Sequence, residues 1–402
     1  MECGCERYKY ISTLDALYDA GKTYMVDRND NGLYVLDETS GEICFKVHLG
    51  STGKNTVAEF TFTLLNEGKF YALPQNSFFI AIYDIKTKVL RRVKLPYDDE
   101  EWGFGAIGGF FRGQWLYVIS GLKKFCPVRV NIDSLQIEIL HDFGDSLKLL
   151  PTSEEFRCMG AFALDGANIY FGVYGTNRIY SGFLESGDLR EVIRLKDDFN
   201  VKALVMCSNG KILASSVDAN ILAVLDLSDK TVKYYALDVW NVDTEAVRLI
   251  TTEKYVWLIP RFGVKIIRYD VFKDSFNELI YDYKALPDEC HEYERVFYGC
   301  DERKGILYLY RYGKNGRVAI NVRSGETVFQ SLDKEESKDW KQILTDNFWE
   351  YVDIAAIEAA DSINEGLYHL PMFLDRIPAV NNSYVIDGIG AGRKIWEKVR
   401  GD

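Results

Sequence analysis

The 402-residue sequence predicts an all-β fold, a seven-bladed β-propeller, with a short and mostly α-helical extension at its C-terminus. Three observations predict this fold. Two sequence markers recur seven times, the distance between them within a copy is almost constant, and each copy divides into four short apolar segments separated by turn residues. The aromatic content, with 7 Trp, 26 Tyr and 23 Phe, also favours strands.

The two markers are short and easily located. The first is an aromatic residue in a short apolar run, and it stands at Tyr24, Tyr71, Tyr117, Tyr170, Trp257 and Tyr308, with Leu213 in its place in one copy. The second is a polar residue that ends the next apolar run, and it stands at Asp37, Asp84, Asn131, Asp226, Asp270 and Asn321, with Leu184 as the degenerate copy.

The spacing of the markers gives the architecture. The first marker recurs at intervals of 47, 46, 53, 43, 44 and 51 residues, whereas the two markers of one copy are always 13 or 14 residues apart. Insertions therefore fall between copies, and a period of about 40–50 residues with four strands is typical of a propeller blade. The repeat predicts a propeller over residues 8–332 and a helical extension over residues 333–402.

Strand positions follow from the same pattern. In the second copy the apolar segments predict strands at 59–65, 69–73, 78–84 and 89–95, separated by Asn-Glu-Gly, Pro-Gln-Asn and Lys-Thr-Lys. Closing a sheet array into a ring removes exposed strand edges. The segment 7–12 is a candidate for closing the ring against the last blade.

Parts of the repeat resemble known propeller families. YVLDETSGEICFKV (34–47) resembles the quinoprotein-type repeat, and YDIKTKVL (83–90) resembles the matching strand of kelch and related bacterial propellers. The period is also similar to that of WD40-like repeats, although the WD dipeptide is missing. The resemblance covers the blades but not the extension, and it implies a bacterial seven-bladed propeller of unassigned subfamily.

Composition excludes several classes of function. The net charge of -12, from 48 basic and 60 acidic residues, argues against broad binding to nucleic acid or anionic membranes. No apolar run approaches about 18 residues, so no membrane insertion is expected. The N-terminus lacks the basic and apolar regions of a secretory signal. A cytoplasmic protein with its eight Cys reduced is therefore expected.

Basic residues recur in the connections between second and third strands. In propellers these connections and those between blades share one face, where ligands commonly bind. Five of the seven connections carry a basic residue, namely Arg28, Lys123, Arg178, Arg261 and Arg311. They predict a cationic ring that attracts phosphate, sulfate or carboxylate groups. The alternative is that they are solvated turn residues.

The connections between blades predict a second group of ligand-binding residues. They place Trp102, Arg157, Trp240, Glu245, Glu294 and Arg295 around the mouth of the channel. Aromatic rings beside carboxylates and guanidinium groups suit a sugar or a peptide. The alternative is packing between blades, because an acidic-aromatic pair recurs in five of these connections.

Catalytic and metal-binding motifs are weak. The four His form no pair at metal-ligand spacing, and neither G-x-S-x-G nor H-E-x-x-H occurs. We therefore expect no cofactor and no metal, and no catalytic residue is assigned. In the extension, residues 346–361 predict an amphipathic helix, and the Gly-rich segment 388–392 is interpreted as a connector rather than a phosphate-binding loop.

The sequence favours a non-enzymatic binding platform whose loop face holds an anionic glycan, peptide or protein partner. The alternative is a propeller-fold hydrolase or lyase acting on a carbohydrate or lactone, with Glu245, Glu294 and Arg295 at the channel mouth. A third hypothesis is a scaffold whose function lies in the extension.

Overall fold

The computed structural model describes the repeat region. The described residues are 10–50, 58–97, 103–152, 159–216, 221–236, 248–259, 265–282, 284, 297–311 and 315–334. They belong to one compact unit that runs from Lys9 to Glu335. The predicted helix at 346–361, the Gly-rich segment and the rest of the C-terminal extension lie outside the described residues.

The repeat region forms seven antiparallel sheets of four strands each, which confirms the predicted all-β propeller. The first four blades comprise β1 (Thr13–Asp19), β2 (Lys22–Asp27), β3 (Gly32–Asp37), β4 (Ile43–His48), β5 (Phe60–Asn66), β6 (Lys69–Pro74), β7 (Phe79–Asp84), β8 (Leu90–Lys94), β9 (Ala106–Arg112), β10 (Trp115–Ser120), β11 (Val128–Asn131), β12 (Ile137–Ile139), β13 (Met159–Asp165), β14 (Asn168–Val173), β15 (Arg178–Phe183) and β16 (Leu189–Arg194). The last three comprise β17 (Val201–Met206), β18 (Ile212–Ser216), β19 (Ile221–Asp226), β20 (Thr231–Ala236), β21 (Arg248–Thr251), β22 (Tyr255–Ile259), β23 (Ile266–Asp270), β24 (Ser275–Leu279), β25 (Phe297–Arg303), β26 (Ile306–Arg311), β27 (Arg317–Asn321) and β28 (Thr327–Gln330). The four strands predicted for the second copy agree with β5–β8 to within one residue at each end.

The first strand of every blade lines the axis of the ring. These strands contact one another in an unbroken circle, from β1 through β5, β9, β13, β17 and β21 to β25 and back to β1. The hydrophobic core lies between neighbouring blades. Between the second and third blades, for example, Tyr71 and Leu73 pack against Leu116 and Val118, all of them buried. Each blade therefore buries its apolar faces against its two neighbours.

The second sequence marker is the residue that organises the hairpin between the third and fourth strands. Asp37 Oδ1 accepts hydrogen bonds from the backbone N–H groups of Thr39 and Ser40, at 2.9 and 3.1 Å. The same side-chain-to-backbone turn follows Asp84, Asn131, Asp226, Asp270 and Asn321. The polar marker recurs because Asp and Asn side chains satisfy backbone donors in tight turns.

The degenerate copy is shifted by one residue from its predicted position. In the first blade Lys22, the first residue of β2, pairs with the marker residue Asp37. In the fourth blade Asn168, the first residue of β14, pairs with Phe183, so Phe183 rather than Leu184 ends the third strand. Phe183 has no side-chain acceptor, and its hairpin is held by backbone bonds from Ser186 and Gly187 to the Phe183 carbonyl. The apolar Leu184, one residue later, is buried in the core.

One helix among the described residues was not predicted. Helix α1 (His141–Lys148) connects the third and fourth blades. Phe143 and Leu147 are four residues apart and both are buried against the fourth blade. Its eight residues are too few for a clear helical period, so the sequence pattern does not reveal it.

Residues before the first strand contribute to ring closure, in line with the expectation for segment 7–12. Tyr10 forms an antiparallel bridge with Asp333, and the Ile11 N–H donates to the Leu332 carbonyl at 3.0 Å. Each blade nevertheless consists of four consecutive strands. Among the described residues, no helix has the length and apolarity needed to cross a membrane.

Candidate functional site

The strand order gives the ring two faces with different connections. We call the face with the turns between first and second strands and between third and fourth strands the hairpin face. The opposite face, with the connections between second and third strands and between blades, is the loop face.

The predicted arginines of the loop face differ in exposure. Arg28 is 7% exposed and Arg311 is 2% exposed, and the Arg311 Nη1 donates to the Asn315 carbonyl at 3.4 Å. Arg178 is more accessible, and its Nη1 lies 3.4 Å from Glu191 Oε2. The structure therefore places two of these guanidinium groups inside the blade packing, where they have little surface to offer a ligand.

The remaining predicted site residues lie outside the described part of the chain. They are Arg261, Trp102, Arg157, Trp240, Glu245, Glu294 and Arg295. Whether they converge at the channel mouth stays a prediction, as does the enzyme alternative that depends on three of them.

A buried ionic cluster on the loop face joins the two ends of the ring. Lys334 follows the last strand, and its Nζ lies 2.7 Å from Asp27 Oδ2 and 2.7 Å from Asp30 Oδ2 in the first blade. The Tyr34 hydroxyl also donates to Asp30 Oδ2, at 2.7 Å. The Ser12 N–H donates to Asp27 Oδ1 at 2.8 Å. This cluster is fully internal and satisfied, so it closes the ring rather than offering a ligand site.

A second ionic cluster closes the ring on the hairpin face. Glu38 of the first blade accepts from Arg303 Nη1 at 2.8 Å and from Arg317 Nη1 at 2.8 Å, both in the seventh blade. The Arg303 guanidinium lies between the rings of Tyr18 and Tyr308, at 4.4 and 4.1 Å from their centroids. These contacts combine charge pairing with cation–π stacking.

The candidate site is a groove on the hairpin face, between the sixth and seventh blades. Its cavity volume is about 470 Å³, and it is lined by Thr252, Glu253, Lys254, Tyr255, Arg268, Glu302, Gly305, Val322 and Arg323. This volume falls within the range of about 300–1,000 Å³ that is usual for ligand sites. We refer to it as the inter-blade groove.

Two cations stack on one aromatic ring in the inter-blade groove. The Arg268 guanidinium and the Lys254 ammonium each lie 5.0 Å from the centroid of the Tyr255 ring. The contact with the Tyr255 phenol raises the pKa of Lys254 above its ordinary value, so this group is fully charged at neutral pH. The stacking holds the two cations beside the same ring at the cavity.

The Arg268 guanidinium is only partly satisfied. Its Nη1 donates to the Val322 carbonyl at 3.2 Å, whereas its Nε is buried and meets no acceptor among the described residues. Buried guanidinium N–H groups normally have an acceptor. The acid Glu302 lines the same groove, but its Oε2 accepts a hydrogen bond from the Trp257 indole. Arg268 therefore lines the groove with part of its hydrogen-bonding capacity unused among the described residues.

Sequence reasoning missed the inter-blade groove because its residues come from two blades and from hairpins rather than from loop-face connections. A signal was present in Lys254 and Arg323, which are basic residues in two turns of an acidic chain. Among the described residues, no group of three or more His, Cys, Asp or Glu is arranged to hold a metal ion. Cys44, Cys126 and Cys207 are free thiols.

Comparison with known proteins extends to fold alone. No family model and no curated protein matches the chain. Virginiamycin B lyase from Staphylococcus aureus matches with a TM-score of 0.57 and 11% identity, over 76% of this chain and 93% of the lyase. PorZ, a bacterial surface component of the type-IX secretion system of Porphyromonas gingivalis, matches with a TM-score of 0.55 and 11% identity, over 81% of this chain and 38% of PorZ.

A third similar structure is YCF48 bound to a D1 peptide. It matches with a TM-score of 0.52 and 9% identity, over 76% of this chain and 92% of YCF48. Identities this low carry the fold and not the activity. Together with the seven four-stranded sheets, these similarities identify the chain as a seven-bladed β-propeller.

Proposed function

We propose that this propeller is a non-enzymatic binding platform that holds an acidic segment of a protein partner in the inter-blade groove. The observation that carries the proposal is the cation-lined cavity itself. Lys254, Arg268 and Arg323 line it together with the acids Glu253 and Glu302, so the groove has an excess of one positive charge in a chain whose net charge is -12. Local charge of opposite sign to the rest of the surface attracts an oppositely charged partner.

The chemistry of the lining favours a peptide-like ligand. The lining combines the Tyr255 ring, on which two cations stack, with the Thr252 hydroxyl, which donates to the Tyr255 carbonyl at 3.0 Å. Such a mixture of aromatic and charged groups is typical of protein interfaces. The similarity to YCF48, which was solved with a bound peptide, supports this choice because it shows that a propeller of this fold accommodates one.

The proposal moves the binding surface from the loop face to the hairpin face. The loop-face residues with partial exposure, such as Arg178, remain a prediction for a second surface. Glycan binding and a cytoplasmic location likewise remain predictions from the sequence.

The proposal is tested by fluorescence anisotropy with a labelled peptide of alternating Glu and Ser and with its Gln counterpart. Wild-type protein is expected to bind the Glu peptide, and the double variant Lys254→Glu/Arg323→Glu to bind it at least about tenfold more weakly, because two attractive charges become repulsive. Affinity is also expected to fall as salt concentration rises.

A matched control keeps the total charge change the same. Lys86→Glu/Arg91→Glu alters two exposed basic residues of the second blade and is expected to bind like the wild type. Equal binding of the Glu and Gln peptides, or equal losses in both double variants, would overturn the proposal.

A further inference from the structure

The third and sixth blades place an arginine in the same position of the fold. In the third blade Tyr117 pairs with Arg129, and in the sixth blade Trp257 pairs with Arg268. In both blades the guanidinium stacks on the aromatic residue that begins the second strand. Arg129 lies 4.5 Å from the Trp115 ring centroid, and Arg268 lies 5.0 Å from that of Tyr255. The two sites are therefore internal copies of one arrangement.

In the third blade, two carboxylates pair with the arginines of this arrangement. Arg129 pairs across the strands with Glu138, and its Nε and Nη2 both reach Glu138 Oε2, at 2.8 and 2.6 Å. Glu185 from the next blade accepts from the Tyr117 hydroxyl and lies 3.1 Å from Arg112 Nη1. Two acids thus balance the guanidinium groups at this inter-blade contact.

Each of these partners is replaced in the sixth and seventh blades. The strand partner of Arg268 is Asn277 instead of a glutamate. Three residues before the second strand, Thr252 stands where the third blade has Arg112. Two residues after the end of the third strand, Arg323 stands where the fourth blade has Glu185.

These replacements remove side-chain volume at Thr252 and the carboxylate opposite the arginine at Asn277, while Glu302 of the seventh blade binds Trp257 as Glu185 binds Tyr117. The shorter Thr252 side chain leaves space, and the inter-blade groove of about 470 Å³ occupies it. The Arg268 Nε, whose counterpart in Arg129 is bound by Glu138, is buried without an acceptor among the described residues. Among the same residues, no carboxylate forms an ion pair with Arg268.

We propose that the inter-blade groove is a carboxylate site, in which a carboxylate of the bound protein segment takes the position on Arg268 that Glu138 takes on Arg129. This inference rests on the proposed function and adds the ligand group to it. The carboxylate pairs with the Arg268 guanidinium, and Lys254 and Arg323 line the same cavity. Its source is either an acidic side chain or the C-terminus of the partner.

The test fills the site with an internal carboxylate. Asn277→Glu restores the pairing seen between Arg129 and Glu138, so we expect the variant to lose at least about tenfold in peptide affinity and to gain thermal stability. Val328→Glu is the matched control, because Val328 holds the same strand position in the seventh blade but faces Ala319, and it is expected to bind like the wild type.

The probes are three short peptides and inorganic phosphate. One peptide has blocked ends and a single Glu, the second replaces this Glu by Gln, and the third is neutral with a free C-terminus. The readout is the NMR resonance of the Arg268 Nε–H, assigned with Arg268→Lys. We expect the Glu peptide, the free C-terminus or both to shift this resonance in wild type, and the Gln peptide to leave it unchanged.

The outcomes separate this inference from the proposed function. If acidic peptides bind through Lys254 and Arg323 but Asn277→Glu binds as wild type does, the carboxylate site is wrong while the platform stands. A stronger response to phosphate than to carboxylate also overturns the site. If no acidic peptide binds wild-type protein, both proposals fail.

Discussion

Lys334 Nζ lies 2.7 Å from Asp27 Oδ2, across 307 residues of sequence. This pair joins the residue after the last blade to the end of the second strand of the first blade. With Glu38, Arg303 and Arg317 on the opposite face, it places buried charges at the ring closure, beside the contact between β1 and β25.

Removing the Lys334 ammonium is expected to destabilise the ring strongly. Lys334→Met leaves the carboxylates of Asp27 and Asp30 buried without their cation, which costs roughly 3–5 kcal/mol for a buried pair. Lys148→Met is the control, because Lys148 and Asp145 form an exposed pair whose loss costs about 0–1 kcal/mol. Urea unfolding measures both, and equal changes in the two variants would contradict buried-charge closure.

The closing cluster also predicts a pH dependence. Two carboxylates share one ammonium, and burial raises the pKa of Asp27 from 3.8 to about 7. For Asp30, burial acts in the same direction, but the charge of Lys334 outweighs it and lowers the pKa. The folded protein therefore holds the Asp27 proton more tightly than the unfolded chain does.

The sign of the effect follows from the raised pKa. The contribution of Asp27 protonation to stability is complete below pH 3.8 and is lost as the pH rises to about 7. Asp27→Asn cannot titrate, so the stability of the wild type relative to this variant is expected to fall between these two values. Parallel stability curves for the two proteins would show that Asp27 titrates normally.

Glu38 predicts the opposite dependence in acid. Burial raises its pKa, but hydrogen bonds from Arg317, Thr23 and Arg303 outweigh this and lower it from 4.5 to about 2. Its stabilisation is therefore complete above pH 4.5 and is lost as the pH falls to about 2. Glu38→Gln is expected to cost about 3 kcal/mol at pH 7 and to reduce the acid sensitivity of unfolding. A variant that unfolds in acid as the wild type does would refute this role.

The hairpin turns predict a small stabilising substitution. Gly41 and Lys88 occupy the same turn position, with φ of 76° and 60°. This left-handed conformation costs a residue with a side chain about 1 kcal/mol, and glycine avoids the cost. Lys88→Gly is therefore expected to stabilise the protein by up to about 1 kcal/mol, and Gly41→Ala to destabilise it by about the same amount. Thermal unfolding compares the stability of both variants with that of the wild type. A loss of stability in Lys88→Gly would show that the left-handed conformation of Lys88 carries no such cost.

The fold was predictable because the markers report local chemistry. The polar marker recurs, for example at Asp37 and Asp84, because each of these side chains accepts a hydrogen bond from a backbone N–H two or three residues later in its own turn. The aromatic residues of the first marker recur because their side chains pack between neighbouring blades, as those of Tyr71 and Tyr117 do. Blade number and strand positions therefore follow from short-range patterns that one sequence contains.

The site was not predictable in the same way, because it depends on contacts between distant segments. Arg28 was a candidate for a ligand-binding cationic ring, yet it is buried and its neighbours Asp27 and Asp30 form the buried cluster, with a lysine that follows some 300 residues later. The correspondence between Arg268 and Arg129 follows from strand register, because Arg268 pairs with Trp257 as Arg129 pairs with Tyr117. Register is fixed by packing, so this comparison requires the structure.

The most direct test of the account is the hydrogen-exchange footprint of a bound acidic peptide. If the inter-blade groove is the binding surface, protection is expected in the turn before β22, in β23 and in the turn after β27, which contain Lys254, Arg268 and Arg323. Protection confined to the loop-face segments around Arg28 and Arg178, with exchange in the groove unchanged, would contradict the central claim.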